Sequence, residues 1–363
     1  MPDTRPYIRF DDEGVCYPCR HYEDRKNKDW KKRWGELEAL ADKHRGRNGD
    51  YYDCIIAASS GKDSYFKTYI FKEKLNMNPL LVSIDNFSWT ETGRKNYDNL
   101  SDEFGVDIHL ISMNRRTARK MLKLGFEKQL IPTWYWDKAV YAYPLQMSIK
   151  LGLPLVIWGE NTSYERGGPI IDDTPDALVQ LKNDVVKPVP WDYWLQDGIT
   201  MKDLNPAVYP SLEEIEKAKV EARFLSYYVP WSDHENYENM QKRGFRSLDD
   251  TGEWKREGIH MFPWLQIDTI GYLVHCWFKF VKMGHWVVSD YTSLEIREGH
   301  MTREEAVKLV NEEEYKLDPK MLKDFVDFIG ITEEHFWNTV DKFYNKDLVE
   351  KRDGVYRLKE PMK

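Results

Sequence analysis

The feature that most constrains this chain is a short apolar run, Cys54-Ile55-Ile56-Ala57-Ala58, that passes straight into Ser59-Ser60-Gly61-Lys62-Asp63-Ser64. A run of that length reads as a strand buried on both faces, which is the habit of parallel sheets. Apolar residues at Tyr65, Phe66, Tyr69 and Ile70 then return at helical spacing. A glycine-containing loop between strand and helix offers backbone N–H groups and the positive end of the helix dipole to an anion. The hydroxyls of Ser59, Ser60 and Ser64 can add hydrogen bonds, Lys62 adds charge, and Asp63 can hold Mg2+ against phosphate oxygens. The plain alternative is an ordinary serine-rich turn. The longer Walker loop ending in Gly-Lys-Ser/Thr is not present here.

The same alternation continues downstream. Strands are predicted at Pro79–Ile84, Ile108–Ile111 and Leu155–Trp158, with helices at Thr92–Phe104, Arg115–Gln129 and Lys138–Leu151. Strands alternating with helices imply an α/β fold with a doubly wound parallel sheet. Ligands of such sheets sit beyond the carboxyl ends of the strands. The Ser/Gly loop, Asp85 and Gly159-Glu160-Asn161 all fall at such ends. Before this unit lies a polar segment, residues 1–50, with Cys16-Tyr17-Pro18-Cys19 and a charged helix over Trp30–His44. After it, residues 201–363 read as mostly helical, with capping boxes at Ser211–Glu214 (opening a helix to about Tyr228) and Thr302–Glu305. The α/β unit itself is placed at 51–200, its end a Pro-, Asp- and Trp-rich stretch over 168–196 read as a functional loop.

Composition narrows the function classes. At 41% hydrophobic and 31% charged residues the chain reads as globular. Its net charge of −8 and pI near 5.7 lack the basic footprint of a nucleic-acid binder. No apolar stretch approaches the roughly 20 residues of a membrane helix, and the first residues have no apolar signal segment. Four cysteines do not make a disulfide scaffold, so a reducing cytoplasm is the expected setting. Cys54 and Cys276 read as core residues. The Trp134-Tyr135-Trp136 and Trp191–Trp194 clusters suit core filling better than ligand stacking.

The loop Ser59–Ser64 resembles the SGGxDS signature of the PP-loop ATP pyrophosphatases, with Ser60 where the signature has its first glycine. Further motifs are similar to the N-acetyl sugar amidotransferase family: Pro2-Asp3-Thr4-Arg5-Pro6, the stretch Phe10–Cys19, Trp158-Gly159-Glu160-Asn161, and Ile296–Ala306. Together they span essentially the whole chain. The resemblance implies the adenine nucleotide alpha hydrolase-like fold and an ATP- and Mg2+-dependent amidination. In it a sugar acetamido oxygen is adenylylated, ammonia adds, and AMP leaves an acetamidino sugar. It also implies a nucleotide-linked acetamido sugar as substrate, and separate glutaminase and cyclase-like subunits as ammonia source, in bacterial surface-polysaccharide or pseudaminic-acid-type pathways.

On this resemblance Lys62, Asp63 and Glu160 are the catalytic candidates. Ala57, Ser59, Ser60, Gly61, Ser64, Asp85, Gly159, Lys282 and Arg303 are the nucleotide-binding ones. Asp85 reads equally as a turn-capping aspartate, and Lys282, Arg297 and Arg303 equally as exposed helix charges. The stretch Lys282-Met283-Gly284-His285 departs from the family pattern, which carries an Arg after Lys-x-Gly. Cys16 and Cys19 make half of a structural zinc site, which needs four ligands. Family members carry an earlier CxxC, so the expectation is a start placed late and Zn2+ absent or weakly held. Two other readings stand beside this one: a tRNA-modifying enzyme of the thiolation type, and a non-catalytic nucleotide-binding subunit.

Overall fold

The structure is a computed structural model that describes residues 1–182, 189–256 and 262–363. Its centre is a sheet of β1 (Cys54–Ala57), β2 (Pro79–Ile84), β3 (Asp107–Ile111), β4 (Leu155–Trp158) and β5 (Glu221–Phe224), in the order β3-β2-β1-β4-β5. All pairings are parallel, with Ile56 of β1 opposite Leu81 on one side and Ile157 on the other. Every residue of β1, β2 and β4 is buried, which is why these strands read as unbroken apolar runs. The direction of strand order reverses between β1 and β4. That reversal opens the crevice in which such sheets bind ligands.

The helices are set by legible local signals. α1 (Tyr17–Arg25) and α2 (Trp30–His44) precede the sheet, and Asp29 caps α2 by accepting from the Lys32 N–H. α3 (Lys62–Tyr69) follows β1, and α4 (Glu91–Phe104) starts at an N-cap Thr90 and stops at a left-handed Gly105. α5 (Arg115–Gln129) and α6 (Trp134–Leu151) join β3 to β4, and α6 packs on β1, β2 and β4. Helices cover both faces of the sheet.

One element departs from the sequence reading. The Ser211–Glu214 capping box forms, but its helix ends at Lys217 and does not run to Tyr228. Lys219 turns left-handed (φ 54°), and Glu221–Phe224 then pairs with β4 as the edge strand β5. Pairing along the sheet edge overrides the helical preference of Glu-Ala-Arg. The sheet therefore runs past the boundary placed at residue 200. Within the Pro-, Asp- and Trp-rich stretch, Trp194 is buried and stacks on Trp134 at 4.5 Å, while 183–188 lie outside the described residues.

The carboxy-terminal region packs helices Val274–Met283, Pro319–Ile329 and Glu333–Phe343 against α5 and one another through Phe126, Phe278, Phe325 and Phe336. The Thr302–Glu305 capping box forms as read. A hairpin of β6 (Val349–Arg352) and β7 (Val355–Leu358) follows. It turns on Asp353-Gly354, both with positive φ, as a two-residue primed turn requires. Among the described residues no helix is long and apolar enough to cross a membrane.

Candidate active site

The Ser/Gly loop sits at the carboxyl end of β1, in the crevice. Gly61 caps α3 with extended backbone and no side-chain hydrogen bond, so the first N–H groups of α3 are left for an incoming anion. The loop is braced from within. Ser59 N–H donates to Ser64 Oγ at 2.8 Å, and Gly61 N–H to Ser59 Oγ at 3.2 Å. Ser60 is fully buried, and its hydroxyl donates to Asp268.

Around this loop stands a cluster of alternating charge. Lys62 is buried, with Nζ 2.7 Å from the Asp63 carboxylate and 2.7 Å from Asp233 Oδ1. Burial alone would lower its pKa, but Asp233 and Asp63 hold it above the ordinary lysine value. Asp233 also accepts from Arg166 at 2.8 Å, and Arg166 lies over the Tyr291 ring at 4.4 Å. Burial would push the Asp233 carboxyl up, yet Lys62 and Arg166 bring it below the usual range. Glu160 goes the other way: burial first, then Asp63, raise it to about 7 despite Arg166. Lys67, buried beneath the loop and bonded to the Ala57 carbonyl, is lowered to about 8 by burial. A carboxyl moved toward neutrality in a cleft, as Glu160 is, is what acid–base chemistry uses.

Lys62, Asp63, Glu160, Arg166 and Tyr291 line a cleft of about 470 Å³, the size of a small-ligand site, with Asp233 and Lys67 packed behind them. Ser59, Gly61, Lys62, Asp63 and Glu160 form one wall. The facing wall comes from the carboxy-terminal region and includes Asp268, Tyr272, Lys279 and Tyr291. Arg5 reaches the same cleft, paired with Asp290 and bonded to the Gly167 carbonyl at 3.1 Å.

Other sequence candidates lie elsewhere. Asp85 follows the end of β2 but is not on the cleft: its carboxylate takes bonds from Trp89 Nε1, Ser112 Oγ and Arg94, so it ties loops together. Gly159 keeps room for Trp231, whose ring would stand 2.9 Å from a Cβ there. Lys282 does not reach the Ser59–Ser64 loop. Its Nζ donates to the carbonyls of Leu130 (2.9 Å) and Gln129 (3.4 Å), capping α5 where the helix dipole is negative. Arg303 is exposed at the first turn of the helix Arg303–Glu313 and bonds the Lys363 carbonyl, outside the cleft. Arg297 is half-buried and donates to the Glu165 carbonyl at 2.9 Å.

Cys16 is the N-cap of α1, and its sulfur lies 3.4 Å from that of Cys19. Contact with Cys19 lowers the Cys16 thiol to about 5, as the amino end of a helix also favours. His21 stacks on Tyr164 and does not join them. Among the described residues no cluster of three or more metal-binding side chains includes either cysteine, so two thiols alone do not fit a four-ligand zinc site. Cys276, read as core, instead lines the cleft with its sulfur 3.3 Å from His275 Nε2. Burial would raise that thiol, but His275 and Lys279 hold it below its usual value.

The sequence reading missed Arg166, Asp233, Asp268 and Tyr291. The one available signal was position: Arg166 follows the motif Gly159-Glu160-Asn161, and Asp233 opens a helix capped by Ser232.

Comparison with known proteins gives three likenesses. Residues 253–363 match the family model of the LPS biosynthesis protein WbpG-like, C-terminal domain. An uncharacterized protein of Methanocaldococcus jannaschii, MJ1599, is 28% identical over 161 residues, 44% of this chain and 56% of that protein. The chain thus spans about half the length of the curated relative it matches. A solved structure of the predicted subunit of tRNA methyltransferase from the same organism aligns with 53% of this chain and 89% of its own. Its TM-score is 0.25 and its identity 12%. Residues 253–363, which supply the facing wall of the cleft, are thus similar to the C-terminal domain of WbpG-like LPS biosynthesis proteins.

Proposed function

We propose that this protein is an ATP-dependent amidotransferase that converts a sugar acetamido group to an acetamidino group in bacterial surface-polysaccharide biosynthesis. One observation carries the reading: a PP-loop-type phosphate loop shares a single cleft with a wall from the WbpG-like segment. A nucleotide site alone would not specify the acceptor; that wall supplies the link to sugar chemistry.

The sequence of bond changes fits the residues. The acetamido oxygen attacks the α-phosphorus of ATP, pyrophosphate leaves, and an O-adenylyl imidate remains. Ammonia adds to the imidate carbon and loses a proton, and AMP departs with the former amide oxygen. The first N–H groups of α3 and Lys62 would receive phosphate charge. The carboxylate of Asp63 suits a hard cation such as Mg2+, which when bound would neutralise the leaving pyrophosphate. Glu160, titrating near 7, is suited to take the proton that ammonia loses. Lys279 and Arg5 would meet an acidic nucleotide-linked sugar on the far side. Ammonia would come from a separate glutaminase acting with a cyclase-like subunit.

The test is incubation with ATP, Mg2+, ammonium and a panel of UDP- and CMP-linked acetamido sugars. AMP should form together with a sugar whose mass reports replacement of oxygen by NH. Asp63→Ala should abolish both while leaving the fold intact. A second reading, thiolation-type modification of tRNA, has Cys276 and His275 on the cleft in its favour. AMP formation only in the presence of tRNA, lost in Cys276→Ala, would replace the first reading with the second.

A further inference from the structure

We propose that His234, Glu295 and His300 form a binding site for a zinc-type transition-metal ion. One ligand atom from each lies within 4.8 Å of the others. Each is brought there by a helix end. His234 stands in the first turn of the helix Asp233–Gln241, capped by Ser232. Glu295 lies in the last turns of the helix Val287–Glu298, which ends on a left-handed Gly299. That turn folds back: His300 N–H bonds the Glu295 carbonyl at 2.8 Å and Gly299 N–H the Ile296 carbonyl at 3.2 Å. The imidazole of His300 is thereby returned over Glu295, and its ring meets that of His234 with centroids 4.8 Å apart.

Two details separate this cluster from a chance surface pair. The first is the division of labour on His234. Its Nε2 faces Glu238 Oε1 at 3.2 Å, while its Nδ1 is buried with no hydrogen-bond partner. A metal-bound histidine characteristically donates its other ring N–H to a carboxylate, which leaves one nitrogen bare for the ion. The second is spacing. His300 Nδ1 and Glu295 Oε2 share a hydrogen bond at 3.2 Å, so an ion would take the place of the shared proton with little movement of either atom. Bonds of 2.0–2.1 Å in a tetrahedral site put neighbouring ligand atoms about 3.3 Å apart. Two imidazoles and one carboxylate suit zinc and its neighbours. Magnesium and calcium prefer all-oxygen sets. Three protein ligands would leave the fourth position to water.

The ion would tie together two helices that both serve the cleft. Asp233, beside His234, grips Lys62 and Arg166, and the partner helix carries Asp290 and Tyr291. The site holds whichever chemistry the cleft performs.

The test uses untagged full-length protein stripped by chelator, in a Cys16→Ser/Cys19→Ser background that removes thiolate binding. Zinc titration by calorimetry should show one equivalent, and zinc should raise the melting temperature. Cobalt should give ligand-field bands without thiolate charge transfer. His300→Ala, at a half-exposed position, should weaken binding by more than about 100-fold and erase the thermal gain. Glu238→Gln should weaken it by about 10-fold, as loss of an outer-shell partner does. Unchanged stoichiometry and affinity in both His300→Ala and Glu295→Gln would overturn the proposal, as would a background protein that takes up no zinc.

Discussion

Replacing Asp268 by Asn should flatten the pH dependence of stability. Asp268 is 7% exposed and accepts from Ser60 Oγ and from Asn86 Nδ2 at 2.9 Å. Burial is the largest influence on it and raises its carboxyl from 3.8 to about 7, against the hydrogen bonds that favour the anion. Between those values the folded chain keeps a proton that the unfolded chain has released. Stability therefore falls as pH rises from 3.8 to about 7 and is level above. At ~1.4 kcal/mol per pH unit, Asp268 accounts for a total loss of about 4 kcal/mol across that window. Glu160 and Glu314, raised to about 7 and about 8, slope the same way. They cancel when the variant is subtracted from the wild type, provided they do not couple to Asp268. Asn keeps a carbonyl for Ser60 and never ionises. Urea midpoints should be compared from about pH 4 to about pH 8 at constant salt. The wild type should lose several kcal/mol relative to Asp268→Asn across the window. Two curves that stay parallel would refute the reasoning, because Asp268 would then be ionised throughout.

Two further substitutions probe the site and its margin. Gly159→Ala puts a Cβ 2.9 Å from the Trp231 ring, so it should cost about 1–3 kcal/mol in urea unfolding. Trp231→Leu added to it should recover part of that loss, and no recovery would show that the ring is not the obstacle. Lys282→Met removes the cap on α5 and should cost ~1 kcal/mol while leaving the KM for ATP unchanged. A large rise in that KM would return Lys282 to the phosphate site.

What was legible in the sequence follows from where each force originates. β1, β2 and β4 are buried on both faces, so their burial is written as unbroken apolar runs. α2 and α5 carry side-chain caps on the residue before them, and their bounds coincide with those read from sequence. β5 was not legible. Only its even positions, Ala222 and Phe224, are fully buried, and its strand state depends on pairing with β4 across some 60 intervening residues, by the difference of their numbers. The charged candidates divide the same way. Lys62 was marked by its motif, but its counter-ion Asp233 lies 171 residues away. Lys282 and Arg303 sit in motifs of the right kind, yet which side of a helix faces a cleft is decided by packing, which spacing alone does not reveal.

Ser60 shows what such distant pairing does to the loop itself. A glycine at that position could cradle phosphate, but it could not donate a hydroxyl to Asp268. With serine there, the Ser59–Ser64 loop is fastened to the segment 253–363 that matches the WbpG-like domain. The fastening does not stand alone. Lys62 is neutralised by Asp233, and Arg5 crosses from the amino-terminal segment to Asp290. Each of these partners is at least half-buried, and a charge or hydroxyl stripped of its partner in such a place carries a desolvation cost of roughly 1–3 kcal/mol or more. The Ser59–Ser64 loop and the elements that carry Asp233, Asp268 and Asp290 are therefore energetically one unit. A fragment cut at residue 200 would keep the whole Ser59–Ser64 motif but leave Ser60 without Asp268 and Lys62 with Asp63 alone, so the motif's own packing depends on the rest of the chain.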